Sequence, residues 1–162
     1  MLNVVVKNTE RFLLSVPKTK RKKYGQFFTN MSTAKFMASL FCFDHSKPCL
    51  EILDAGAGTG ILATAVIQKL IDDGYKGRIH VTCYETDDFV MPVLEENMRL
   101  STVLPNVTCS IKTDNYITSQ NFSNYTHFGG EDFHYDYIIG NPPYLKTPKD
   151  AVEALAMPEV CY

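Results

Sequence analysis

The sequence predicts an α/β fold built on an open, mainly parallel sheet with helices on both faces. Short apolar runs alternate with amphipathic helical segments. One run, Cys49-Leu50-Glu51-Ile52-Leu53, leads into a glycine-rich turn, Asp54-Ala55-Gly56-Ala57-Gly58-Thr59-Gly60. A later run, Tyr137-Ile138-Ile139-Gly140, leads into a second turn, Asn141-Pro142-Pro143-Tyr144. In a parallel sheet both turns fall at carboxyl ends of strands, where ligands bind.

Each element has its own signal. Residues 1–16 are an apolar, weakly patterned lead, followed by Lys18, Lys20, Arg21, Lys22 and Lys23. A helix starts near Asn30 or Ser32, either of which can cap it, with Phe36, Met37, Leu40 and Phe41 as its apolar face. The first strand is 49–53. Ile61, Leu62, Ala65, Val66 and Leu70 then mark an amphipathic helix that closes at Asp72-Asp73-Gly74. The second strand is 78–84. Asp87 or Asp88 caps the next helix, which turns Phe89, Val90, Val93, Leu94 and Met98 inward and tolerates Pro92 in its first turn. The third strand is 107–112. Residues 113–134 read mainly as loop with room for a short helix, and the fourth strand is 135–139. A helix begins within 148–157. A doubly wound sheet ordinarily continues beyond this point, so the pattern reads as a catalytic domain truncated after the fourth strand. The expected division is a lead over 1–29 and the sheet domain over 30–162.

Hydrophobic content of 45% and charged content of 21% are those of a soluble globular chain with one core. The net charge of −2 gives no global attraction to nucleic acid, leaving the basic run as the local candidate for phosphate contact. The five cysteines form no Cys-x-x-Cys pair, which favours buried thiols in a reducing cytoplasm over disulfides or a metal site. Neither a signal peptide nor a membrane span is legible.

The two turns carry the chemistry. Gly56, Gly58 and Gly60 let backbone approach a ligand closely, but their G-x-G-x-G spacing stops short of the dinucleotide fingerprint. A carboxylate at Asp54 would repel a pyrophosphate and favour a cofactor carrying ammonium and sulfonium charges, which points to S-adenosylmethionine (AdoMet) over NAD. Glu85, at the end of the second strand, stands where an acid accepts from ribose hydroxyls, with Thr86 beside it. Asp114 ends the third strand; its carboxylate can take an adenine amine while the Asn115 N–H reaches a ring nitrogen, or it can form a plain Asx turn.

At the second turn the problem is a poor nucleophile. An aromatic amine delocalises its lone pair into the ring. Two acceptors, the Asn141 side-chain oxygen and the Pro142 carbonyl, can draw on its N–H groups and release that pair. The two prolines hold the carbonyl rigidly. Tyr144 offers a stacking face to a base flipped out of a duplex.

The glycine-rich turn followed by Asn141-Pro142-Pro143-Tyr144 resembles the amino-methyltransferases of the AdoMet-dependent Rossmann-like superfamily. With Tyr24-Gly25-Gln26-Phe27-Phe28-Thr29 upstream, the chain resembles adenine-specific DNA methyltransferases of restriction–modification systems, in particular Eco57I-like enzymes and type I modification subunits. The resemblance runs over about 18–162. It implies that Tyr24, Gln26, Phe28 and Thr29 line the methionine end of AdoMet, with Thr29 bonding its carboxylate. Asp54, Ala55, Gly56, Gly58 and Gly60 surround the amino-acid part, Glu85 and Thr86 the ribose, and Asp114 and Asn115 the adenine. Asn141, Pro142, Pro143 and Tyr144 take the target amine. Asn30 departs from the proline common at that place, and Asp114-Asn115-Tyr116 lacks the aromatic that usually follows the acid.

The implied partner is double-stranded DNA, with a target-recognition domain or specificity subunit supplied elsewhere, no membrane and a cytoplasmic location. Two other functions use the same parts: methylation of a protein glutamine amide or an RNA base, and a non-catalytic AdoMet-binding module that needs a partner.

Overall fold

The computed structural model describes residues 1–19, 28–119, 135–142, 148 and 150–156. Of the expected site residues, Tyr24, Gln26, Pro143 and Tyr144 lie outside the described residues, as does the basic run beyond Lys18. In chain order the described elements are α1 (Leu2–Ser15), α2 (Met31–Ser39), β1 (Cys49–Ala55), α3 (Ile61–Asp72), β2 (Arg78–Tyr84), α4 (Met91–Ser101), β3 (Val107–Lys112), α5 (Tyr116–Ser119), β4 (Tyr137–Ile139) and α6 (Val152–Ala156).

The strands form one parallel sheet in the order β3-β2-β1-β4. The first two crossovers move outward from β1 to β2 to β3. The chain then returns to place β4 on the other side of β1. That reversal makes the carboxyl ends of β1 and β4 a topological switch point, where an open parallel sheet leaves a crevice.

The two flanks of β1 differ in extent. β1 pairs β2 from Cys49–Arg78 through to Ala55–Tyr84. It pairs β4 only from Ile52–Tyr137 to Asp54–Ile139. The sequence placed the start of β4 at Tyr135, and the ladder begins two residues later. Asp136 accounts for the difference: its N–H donates to Glu51 O (2.7 Å) and its carboxylate accepts from Glu51 N (2.9 Å) and from the Lys47 ammonium. A side chain thus does the pairing at that register position. Tyr137 then packs edge-on to Phe41 and Phe43, and its hydroxyl donates to Cys42 O at 3.1 Å.

Leu50 and Ile52 of β1 meet Ile79, Val81 and Cys83 of β2 and Val107 of β3 in the main core. The central helix α3 buries nearly every side, from Ile61 through Ile67 and at Leu70, because α1, α2, α4, β1 and β2 all contact it. Each fully buried aliphatic side chain contributes about 1.5–3 kcal/mol of transfer free energy.

Three helices differ from the sequence-based expectation. Residues 2–15, expected as a weakly patterned lead, form α1, which packs on α3 and α4 through Leu2, Val5, Val6 and Thr9. α2 begins after Asn30 as expected, and the Asn30 side chain accepts from Thr33 N at 2.9 Å. Its buried face is Ala34 and Ala38, whereas Phe36 and Leu40 are 61% and 66% exposed. α2 runs close against α3, and only small side chains fit at that approach. α4 begins at Met91, after a turn in which the Asp87 carboxylate accepts from Phe89 N and its carbonyl from Met91 N. Leu94 and Met98 face inward as expected; Phe89 does not, and the polar Asn97 and Ser101 do.

Among the described residues, Cys42, Cys49, Cys83 and Cys109 are free thiols; Cys83, in β2, is buried as expected, whereas Cys49 and Cys109 are partly buried and Cys42, beyond the end of α2, is exposed. No helix among them is long and apolar enough to cross a membrane.

Candidate functional site

The glycine-rich loop closes by backbone bonds to its neighbour strand. Gly56 N and Ala57 N both donate to Tyr84 O, at 2.9 and 2.8 Å, which ties the end of β1 to the end of β2. Gly60 N donates to Ala57 O at 2.8 Å and turns the chain into α3. Gly60 stands at φ +79°, where an L side chain is strained, and a Cβ there would meet Leu94 and Met98 at 3.0 Å. At Gly56 a Cβ would meet nothing within 4 Å, so the loop backbone lies bare on that side.

Asp54 is fully buried. Its Oδ2 accepts from Ala63 N at 3.1 Å, in the first turn of α3, while Oδ1 has no hydrogen-bond partner. The positive end of the helix dipole favours a carboxylate there. Burial nonetheless dominates and pushes its pKa up to about 7, with Glu85 nearby acting in the same direction. Asp54 does not line the cleft described below. Instead of facing a cationic ligand, as the sequence predicts, the carboxyl is an interior cap that ties the loop to the start of α3.

Glu85 follows β2, and its N–H is held by Lys112 O of β3 at 3.0 Å. Its carboxylate gathers three backbone donors: Gly58 N on Oε2 (2.9 Å), and Thr86 N and Asp87 N on Oε1 (2.8 Å each). A carboxylate offers roughly four lone-pair sites, so about one acceptor position remains. Glu85 therefore braces the glycine-rich loop besides standing half-exposed beside it.

Asn141 leaves β4 on the opposite side of β1. Its Nδ2 donates to Thr29 Oγ1 at 3.1 Å. This bond turns the amide so that the nitrogen engages Thr29, with the oxygen at the other end of the group. Phe28 packs its ring about 3.5 Å from where a Cβ of Gly58 would stand. A cleft thus forms at the switch point, lined by Phe28, Thr29, Gly56, Ala57, Gly58, Thr59, Ile61, Leu62 and Asn141.

Of the expected site residues, the structure brings Phe28, Thr29, Gly56, Gly58 and Asn141 to one cleft. Ala55 and Gly60 frame the loop without lining the cleft, and Thr86 and Pro142 are exposed beside it. Asp114 is exposed, while Asn115 caps α5: its Oδ1 accepts from Ile117 N at 3.0 Å and its Nδ2 donates to Glu153 at 3.0 Å. Neither reaches the cleft. Ala57 and Thr59 lie within the Asp54–Gly60 turn expected to surround the cofactor; Ile61 and Leu62, marked by the sequence only as helix positions, join them, and their place just after that turn is the signal that could have found them.

The N-6 DNA methylase family matches this chain over residues 4–154. The type II methyltransferase M.BsuBI of Bacillus subtilis is 31% identical over 134 residues, 81% of this chain and 26% of that protein. The type II methyltransferase M.PstI of Providencia stuartii is 29% identical over 98% of this chain and 32% of its own length. The chain therefore spans about a quarter to a third of the curated relatives it matches. Among solved structures, a class I S-adenosylmethionine-dependent methyltransferase from Listeria monocytogenes superposes with a TM-score of 0.60 at 21% identity, covering 85% of this chain and 38% of that one. That likeness establishes the fold.

Proposed function

This chain belongs to the N-6 DNA methylase family, and we propose that it is the AdoMet-binding and catalytic part of an adenine-specific DNA methyltransferase of restriction–modification type. The observation that carries this reading is the convergence of the two turns. Asn141, from the Asn-Pro-Pro-Tyr motif, shares one cleft with the bare backbone of the glycine-rich loop.

The residues fit the cofactor. Open space over Gly56 admits a ligand against the backbone, and the start of α3 at Ile61 and Leu62 presents a helix N-terminus suited to a carboxylate. Phe28 and Thr29 close the opposite wall. Glu85 keeps one acceptor position for a ribose hydroxyl. When bound, AdoMet supplies an electrophilic methyl on a sulfonium leaving group.

The chain's own residues then position and polarise the amine. Asn141, oriented by Thr29, presents its amide oxygen to one N–H of the target; the Pro142 carbonyl takes the other. Pulled by two acceptors, the nitrogen frees its lone pair for in-line attack. With AdoMet bound, that nitrogen would take the methyl in exchange for one of its protons, which the Asn141 and Pro142 oxygens would hand on to water. Pro143 and Tyr144 continue this loop, with Tyr144 as the stacking face for a flipped base. For the adenine end of the cofactor the proposal keeps Asp114 and Asn115, which follow β3 at the carboxyl edge of the sheet. The DNA-reading surface belongs to a target-recognition domain or specificity subunit, and the setting is cytoplasmic. The division into a lead over 1–29 and a catalytic domain over 30–162 is proposed as a boundary in sequence only, since α1 packs into the core of that domain.

The test is methyl transfer to unmethylated genomic DNA, read as N6-methyladenine by mass spectrometry. Methylated adenine that disappears in Asn141→Ala supports the proposal. Transfer to a glutamine-containing peptide or RNA instead of DNA would overturn the substrate assignment.

A further inference from the structure

Against the glycine-rich loop lies a chain of buried polar side chains centred on Thr59, which also lines the cleft. Thr59, Thr9 and Asn97 are at most 2% exposed. Thr9 of α1 donates its hydroxyl to Thr59 Oγ1 at 2.8 Å. Asn97 of α4 donates Nδ2 to Thr59 O at 2.8 Å, and its Oδ1 accepts from Asn8 of α1 at 3.0 Å. One turn further on, Thr64 donates to Gly60 O at 2.7 Å and shares a 2.8 Å bond with Ser101, whose hydroxyl also lies 2.8 Å from Asn97 O. Two successive loop carbonyls, those of Thr59 and Gly60, are thus held by side chains of α4 and α3, while α1 holds the Thr59 hydroxyl through Thr9.

The same helix grips the other wall. Phe12, one turn along α1 from Thr9, meets the Phe28 ring edge-on at 6.1 Å between centroids. Phe28 in turn rests against Gly58. An apolar side chain could fill the space of Thr9, and burying its hydroxyl is unfavourable unless the bond it makes is used.

We infer that Thr9 and Asn97 are positioning residues for the cofactor. They fix Thr59, and through it the backbone of Gly58 and Gly60, in the shape that AdoMet binds. This rests on the cofactor assignment made above. α1, which the sequence marked only as a lead, becomes the part that sets the width of the cleft.

Thr9→Val, Thr9→Ser and Asn97→Ala test the inference in the full chain. The first readout needs no cofactor: hydrogen exchange at the amides of Gly56, Ala57 and Gly60, all bonded in the parent protein. The second is AdoMet affinity by calorimetry, well below the melting temperature. Thr9→Val and Asn97→Ala are expected to speed exchange in the loop and weaken AdoMet binding roughly three- to tenfold. Thr9→Ser is expected to restore both. A lower Tm with loop exchange and affinity unchanged in the folded variants would overturn the inference, leaving these residues merely structural. If Asn97→Ala fails to fold, the near-isosteric Thr9→Val decides alone. Faster loop exchange in a protein whose parent binds no AdoMet would sustain the positioning role and defeat the cofactor assignment instead.

Discussion

The two turns at the switch point are built to different standards. The loop after β1 is over-determined: two N–H groups bond Tyr84 O, the Glu85 carboxylate accepts from Gly58 N, and α1 and α4 hold Thr59. The turn after β4 stands on a three-residue strand and, at Asn141, on a bond to Thr29. A cofactor cradle must keep one shape against a flexible ligand, and each added bond removes a competing shape. An amine acceptor needs one oxygen and one carbonyl in place, and the fixed φ of Pro142 restricts that carbonyl locally. Damage to the first loop should therefore appear in affinity and stability, and damage to the second in rate.

Asn141→Ala makes the sharpest break. Transfer should fall by roughly 10²–10³-fold or more, as when one preorganised group at a reacting centre is lost. AdoMet affinity by calorimetry should stay nearly unchanged. Joint loss of both would show that the two turns do not divide the work.

Asp54 follows, because burial raises its pKa from 3.8 to about 7. The unfolded chain loses this proton near the ordinary carboxyl value and the native protein keeps it to about 7. Native protein therefore binds more protons between those values, and stability falls as pH rises through that window. Urea unfolding from pH 5 to 8 should show that slope in the parent protein and a flatter profile in Asp54→Asn. Parallel profiles would mean that the buried carboxyl does not titrate this way.

Gly60→Ala should destabilise by about 2 kcal/mol or more, since it adds a left-handed backbone penalty to the contact with Leu94 and Met98. Thermal unfolding would register it, and an unchanged Tm would mean that the loop relaxes freely. Glu85→Ala should have the smallest effect on stability, about 1 kcal/mol, because water can reach its donors. AdoMet binding should weaken roughly tenfold, and unchanged affinity would remove Glu85 from the ribose contact.

Most of the strand framework was readable, because buried parallel strands are short apolar runs ending at turns. β2 and β3 fall at the residues their patterns indicated. α1 carried a helical signal that the Val4-Val5-Val6 run obscured: its buried residues Leu2, Val5, Val6 and Thr9 fall at helical spacing, with the polar Thr9 completing the face. The buried face of α2 was misjudged because large apolar residues stand out in a sequence, whereas close packing selected Ala34 and Ala38. At the site, the glycines and Asn141 announce themselves by motif. Thr9 and Asn97 do not, since a buried polar residue looks like a surface one until its partner is known. Asp54 was legible as important, but its direction was not: only the fold shows the carboxyl turned toward the start of α3.

AdoMet titration by calorimetry, with NAD as the control ligand, tests most directly the claim that the cleft between the two turns is a cofactor site. The account predicts saturable AdoMet binding that survives Asn141→Ala and no binding of NAD. A folded chain that binds NAD, or that takes up no AdoMet at all, would contradict it.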